Sequence, residues 1–131
     1  MRGIVERIGM AVVIMGVGVG TAGAADVEAT KKHIKEAISS GEAMVSHGKQ
    51  GHLDVLSDHA EDFIMHAKAA LDGIPADNEH GEEVVSRLKT AISKAEEAME
   101  HGEAGHPDVA VKHAQAALFN AKEALSHTEG L

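Results

Sequence analysis

The chain has no cysteine, no tryptophan and no tyrosine, and Phe63 and Phe119 are its only phenyl rings. Without thiols there is no disulfide scaffold, no iron–sulfur cluster, no covalently attached c-type haem and no thiol catalysis. Bases are scarce too: 12 Lys and Arg face 21 Asp and Glu, a formal charge of -9. Nucleic-acid binding draws on a basic field, and single-strand platforms need stacking rings, so no nucleic-acid partner is expected. A length of 131 residues allows one domain with a modest core. What the chain does have is histidine, 10 residues of it.

Residues 1–25 read as a secretory signal. Arg2 and Arg7 precede the apolar run Ile8 to Val19, and Ala22-Gly23-Ala24, or Gly23-Ala24-Ala25, supplies the small residues at a cleavage site. The run is shorter than the ~20 residues of a spanning helix. Five glycines between Gly9 and Gly23 interrupt it further. The expected product, residues 26–131, is an acidic exported domain with no stable membrane insertion once the signal is cleaved. Lacking disulfides, it must hold together by packing alone.

An internal repeat organises this domain. His47-Gly48-Lys49-Gln50-Gly51-His52-Leu53-Asp54-Val55 recurs 54 residues later as His101-Gly102-Glu103-Ala104-Gly105-His106-Pro107-Asp108-Val109, and the match continues from His59-Ala60 to His113-Ala114 and from Ala67-Lys68 to Ala121-Lys122. Upstream, Lys35, Ala37, Ile38, Ser39 and Glu42 match Lys89, Ala91, Ile92, Ser93 and Glu96. Each half, about 27–72 and 80–128, is two segments joined by one Gly-rich turn. Gly73, Pro75 and Asn78 break the chain between the halves.

All four segments are rich in Ala, Lys, Glu and Leu, with apolar residues recurring at steps of three and four, which predicts helices. In the second, Leu53, Leu56, Ala60, Phe63, Ala67 and Ala70 occupy alternating a and d positions of a heptad. The frame carries over to Ile34, Ala37, Gly41 and Met44, to Gly81, Val84, Leu88, Ala91, Ala95 and Ala98, and to Ala110, Ala114, Ala117, Ala121 and Ala124. Ile38, Val45, Val85, Ile92, Met99, Leu118 and Leu125 fall at e. An a/d/e stripe with short connections predicts an all-α fold, an up-down-up-down four-helix bundle built from two helical hairpins. Gly48 and Gly102 are expected at left-handed C′ positions, and Pro107 in the first turn of the fourth helix.

All ten histidines fall at the g position of this frame: His33, His47, His52, His59, His66, His80, His101, His106, His113 and His127. Ser40, Arg87, Lys94 and Asn120 fill the remaining g slots. In an antiparallel hairpin, residues facing one another have a constant sum of residue numbers. That rule pairs His47 with His52 and His33 with His66 in the first hairpin, leaving His59 opposite Ser40. In the second it pairs His101 with His106 and His80 with His127, leaving His113 opposite Lys94. These pairs require the g edges to face each other within a hairpin; the opposite handedness sets them across hairpins.

Carboxylates lie one helical turn from several rings: Glu36 follows His33, Asp62 stands between His59 and His66, Glu83 follows His80, and Glu97 and Glu123 precede His101 and His127. Such groups can ligate a cation or hold an imidazole by its second nitrogen. Histidines seven apart on one helix are separated by about 10.5 Å along the axis, so several small sites are expected rather than one cage. Imidazole with carboxylate suits divalent transition ions, and the affinity order puts copper(II) ahead of nickel, cobalt and zinc. The ten histidines and Asp62 are therefore candidate metal ligands. Met44 and Met99, at d and e, read as core filler rather than thioether ligands, while Met65 beside His66 is open to either reading.

His47 to Lys68 (HGKQGHLDVLSDHAEDFIMHAK) and His101 to Lys122 (HGEAGHPDVAVKHAQAALFNAK) resemble the small metal-binding protein family of the bacterial periplasm. The resemblance covers nearly all of the chain after the signal and implies a periplasmic, cysteine-free, histidine-repeat four-helix bundle that binds several divalent ions with copper favoured. It places ligands at His47, His52, His59, His66, His101, His106 and His113. The sequence departs from that pattern in having fewer histidines, with Asn120 in place of one and the cations Arg87 and Lys94 in the third-helix stripe.

No enzyme is expected. The only Glu-x-x-His spacing, Glu103 to His106, spans a turn, and no phosphate loop, nucleophile elbow or His-Glu-x-x-His motif is present. The expected function is binding and buffering of divalent metals. The alternative is a pH- or stress-responsive helical interaction protein whose histidines are charge switches.

Overall fold

A computed structural model describes residues 24–131 apart from Ala76, so the export-signal reading concerns residues that lie almost wholly outside it. Four helices follow in order: α1 (Ala24–Lys49), α2 (Leu53–Leu71), α3 (Glu79–Glu103) and α4 (Pro107–His127), with a short 3-10 turn at Thr128–Gly130. Helix α1 packs on α2 and α4, and α3 on α2 and α4, while α2 and α4 scarcely touch across the diagonal. This is the up-down-up-down four-helix bundle expected from the heptads. Among the described residues no helix is long and apolar enough to cross a membrane.

The a and d residues form the core. Ile34, Met44, Leu56, Phe63, Val84 and Leu88 are fully buried, together with alanines on all four helices, from Ala37 to Ala124. Ile38, Val45, Ile92, Met99 and Leu125 cover its edges from e. Each alanine contributes little area at about 25 cal/mol per Å². Small side chains instead let helices approach toward the lower end of the usual interaxial range of about 8–10 Å.

The two hairpin turns correct one expectation. Gly48 and Gly102 are buried inside the last turns of α1 and α3, and the left-handed residues are Gly51 and Gly105, each at φ 78°. The Gly51 amide donates to the Gly48 carbonyl at 3.0 Å, and the His52 amide to the His47 carbonyl at 2.9 Å. The same pair of bonds recurs from Gly105 to Gly102 (3.1 Å) and from His106 to His101 (2.8 Å). This is the nested C-cap in which a left-handed residue at C′ lets the next amide reach back five residues. The helices thus run further than the first glycine suggested. Gly48 is needed for another reason: a methyl group there would fall 2.7 Å from Val111 and 2.8 Å from Leu56.

The longer connection, Asp72 to Asn78, ends where Asn78 caps α3, its Oδ1 accepting from the His80 amide at 2.8 Å and the Gly81 amide at 3.3 Å. At the same end of the bundle the buried Thr30 donates its hydroxyl to the Ala70 carbonyl at 3.3 Å, tying α1 to the last turn of α2.

Candidate metal centre

The g positions of each hairpin face each other across its own two helices, which settles the handedness left open by the heptad. His33 on α1 and His66 on α2 stand with ring centroids 5.9 Å apart and planes inclined by 29°, neighbours as their level in the hairpin predicts. Glu36 lies between them. Its Oε2 is 3.4 Å from His33 Nδ1 and 3.1 Å from His66 Nδ1. Donors around a tetrahedral ion at about 2.0–2.1 Å stand roughly 3.3 Å apart, so these two spacings, which also suit a histidine–carboxylate ion pair, fit a coordination shell. Among the described residues this is the one place where three such ligand atoms come within 4.8 Å of one another. His33 Nδ1 is buried and, although near Glu36, lacks hydrogen-bonding geometry. A buried polar atom left unpaired costs about 1–3 kcal/mol, a cost that an ion bound there would remove.

At the turns, three rings gather rather than two. His47 meets His52 at 5.8 Å, as expected, but it also stacks on His59 at 5.4 Å and 16°. His101 likewise meets His106 at 5.9 Å and stacks on His113 at 5.2 Å and 3°. The expectations that His59 faces Ser40 and His113 faces Lys94 alone are therefore corrected. The constant-sum rule compares Cα levels, whereas side chains on a helix lean toward its N-terminus. His47 leans away from the turn and His59 toward it, so rings one heptad out of level converge. Two imidazoles on one ion place their centroids roughly 4.5–6 Å apart, given nitrogen–metal distances of about 2.0–2.1 Å.

The turn itself supplies this arrangement. His47 and His52 occupy the C3 and C″ positions of the nested cap, where a hydrophobic contact ordinarily closes the motif. Here two imidazoles take that place. His52 and His106 are also the N-caps of α2 and α4, yet neither side chain makes a capping hydrogen bond, so their rings remain available. His47, whose ring meets both others of its triad, carries in Nδ1 a second buried nitrogen without a partner.

The second hairpin binds its charges differently. Glu97 accepts from Lys94 at 3.0 Å and lies 3.4 Å from His113. The Lys94 hydrogen bond, helped by the nearby His113, holds the Glu97 carboxyl below its ordinary 4.5. At the level that His33 and His66 occupy in the first hairpin stand Arg87 and Asn120, whose side chains hydrogen-bond at 3.4 Å. His127 Nε2 lies 3.8 Å from Glu83, and His80, expected to face His127, has its ring against Gly130. Asp62 is exposed on α2 and stands outside the three-ligand group, which takes its carboxylate from Glu36. The bridging role of Glu36 was available to a sequence reading that combined its spacing from His33 with the level of His66. Of the methionines, Met44 is fully buried and Met99 packs against the core, while Met65 is 57% exposed.

The family model described as small metal-binding protein matches residues 5–118. The chain belongs to that family. Both turn clusters and the His33–Glu36–His66 group lie inside the matched region, so membership and geometry point to the same chemistry: metal binding by a helical bundle. No curated protein matches the chain.

Proposed function

We infer that the protein is a non-catalytic periplasmic binder of divalent transition metals that buffers or scavenges them, with copper(II) preferred over nickel, cobalt and zinc. The observation that carries this reading is the His33–Glu36–His66 group, whose carboxylate oxygen stands at coordination-shell distances from two imidazole nitrogens on facing helices. The two turn triads bring further imidazoles together, without a carboxylate, and are the next candidates for such ions. Neutral imidazole and carboxylate without thiolate suit a divalent ion, and copper(II) heads the affinity order for such donors. Separate sites along a rigid bundle suit reversible storage better than a single high-affinity cage.

Titration calorimetry of the chain with copper(II), nickel(II) and zinc(II) tests the reading. The expected result is more than one copper per chain, bound more tightly than zinc, with loss of one site in His33→Ala/His66→Ala. Protein that retains no metal after dialysis against copper would instead support histidines acting as charge switches. Because the a/d/e core contains no ligand, far-ultraviolet dichroism should show helix before any metal is added, unlike a zinc finger.

A further inference from the structure

Glu83 in the second hairpin repeats the situation of Glu36 with one partner changed. In the first hairpin a single carboxylate oxygen is shared between a histidine three residues earlier and a histidine on the facing helix. In the second, Glu83 Oε1 is shared between Arg87 Nε at 3.1 Å and His127 Nε2 of the facing helix at 3.8 Å. His80 precedes Glu83 by three residues, as His33 precedes Glu36, and lies level with His127, as His33 does with His66. The sequence pattern His-x-x-Glu plus a level His on the facing helix is therefore present twice, one heptad further from the turn in the second hairpin, but among the described residues only the first brings its three ligand atoms within 4.8 Å of one another.

What differs is the nitrogen on Glu83. An imidazole offers a lone pair to a metal, whereas a guanidinium has five N–H donors, no acceptor and a charge it does not lose. Arg87 is also held from the other side, since Nη1 donates to Asn120 Oδ1 at 3.4 Å while Asn120 Nδ2 donates to the Ala116 carbonyl at 2.9 Å. Asn120 is buried at 9% exposure, so the clasp is fixed to α4. Meanwhile the His80 ring rests against Gly130, one helical turn from Glu83.

We propose that His80, Glu83 and His127 form a second imidazole–carboxylate site for a divalent metal, and that Arg87 holds it shut by serving as an internal cation on Glu83. The proposal rests on the metal-binding reading above. It makes the protein asymmetric: the first hairpin takes an ion at its open end, whereas the second carries its own positive charge there.

The test is a zinc(II) titration of the full chain followed by imidazole ¹⁵N chemical shifts, with calorimetry for stoichiometry. In the wild type, His33 and His66 should respond at the first additions and His80 and His127 only at excess zinc. In Arg87→Gln the latter two should respond together with His66, an apparent gain of about tenfold or more at that site, with one more ion per chain. Arg87→Lys keeps the cation and should behave as the wild type. Arg87 is half-exposed and glutamine is a good helix former, so the fold should survive. Asn120→Ala, which loosens the clasp from α4, should shift the His127 response in the same direction. His80 and His127 already responding with His66 in the wild type, or staying silent in Arg87→Gln while His33 and His66 respond, or responding equally in Arg87→Lys, would each overturn the proposal. Silence of His33 and His66 in the wild type would remove the metal-binding reading and this inference with it.

Discussion

His47 stacks on His59 at a centroid distance of 5.4 Å although the two lie on different helices and one heptad out of level. The level pair His47–His52 is looser, at 5.8 Å and 37°. The same order holds at the other turn, where the staggered contact is 5.2 Å and the level one 5.9 Å. His47 is thus the hub of its triad, and His101 of the other.

Copper affinity at the first turn should therefore depend most on His47. His47→Ala is expected to cost nearly as much as removing all three rings, while His52→Ala and His59→Ala each cost less. A double-mutant cycle of His47→Ala with His59→Ala should show a coupling of about 0.5–3 kcal/mol. His47→Ala with His66→Ala, at opposite ends of the hairpin, should add to within about 0.5 kcal/mol. Additivity within the triad, read by calorimetry, would mean that the rings bind ions singly.

Glu36 follows His33 by three residues and Asp62 precedes His66 by four, but it is Glu36 that reaches the His66 ring, at 3.1 Å. Glu36→Gln should weaken the site shared by His33 and His66 by about 10–100-fold, the range seen when a group that holds a metal-bound imidazole is lost. Asp62→Asn, at an exposed position, should leave zinc or copper affinity within about twofold. An equal loss in the two variants would argue that general negative charge, rather than the bridging oxygen, draws the ion.

Two acid transitions should separate. Protons compete with an ion for neutral imidazole, whose unperturbed pKa is about 6.5, so bound copper should fall steeply between about pH 7 and pH 5 while the helical spectrum persists. Glu97 behaves differently. Its carboxyl is held below 4.5 by Lys94, and a lowered folded-state pKa means that its contribution to stability is present at neutral pH and fades as pH falls through that lowered value. The difference in melting temperature between the wild type and Glu97→Gln, measured without metal, should persist at pH 5 and shrink below about pH 4. Copper that stays bound down to pH 4 would assign the sites to carboxylates.

The two glycines of the first turn should fail for different reasons. Gly51→Ala meets no neighbour within 4 Å but places a side chain at φ 78°, a penalty of about 1–2 kcal/mol, and should loosen the His47–His52 contact along with the cap. Gly48→Ala keeps a helical backbone and instead collides with Val111 and Leu56, an overpacking cost of about 1–3 kcal/mol. Thermal melting gives both costs, and only Gly51→Ala should weaken copper binding by more than its stability loss explains.

The bundle was legible because its signals repeat: Leu56, Ala60 and Phe63 at heptad spacing, and one turn motif used twice, leave few ways to arrange four helices. The level pairs of histidines followed from the same arithmetic. The staggered contacts of His59 and His113 did not, because they depend on which way a side chain leans, a property of Cα–Cβ direction that residue numbers do not carry. The extent of α1 and α3 was misjudged for a related reason. A buried glycine at a helix–helix contact and a left-handed glycine at a cap look alike in sequence, and only the packing of Val111 and Leu56 against Gly48 distinguishes them.

The alanine seam between α3 and α4, with Ala91, Ala95 and Ala98 opposite Ala110, Ala114 and Ala117, has no exposure at all. It acts as a spacer gauge for the rings beside it. Histidine side chains are short, and two of them can grip one ion across a helix pair only when the backbones stand close, so the bite of each site is set by residues that never touch a metal. Enlarging one seam alanine to leucine would wedge the helices apart and widen the gap between imidazoles on both flanking levels. On the metal-binding reading proposed above, the choice of ion would then depend on the width of the core as much as on the histidines.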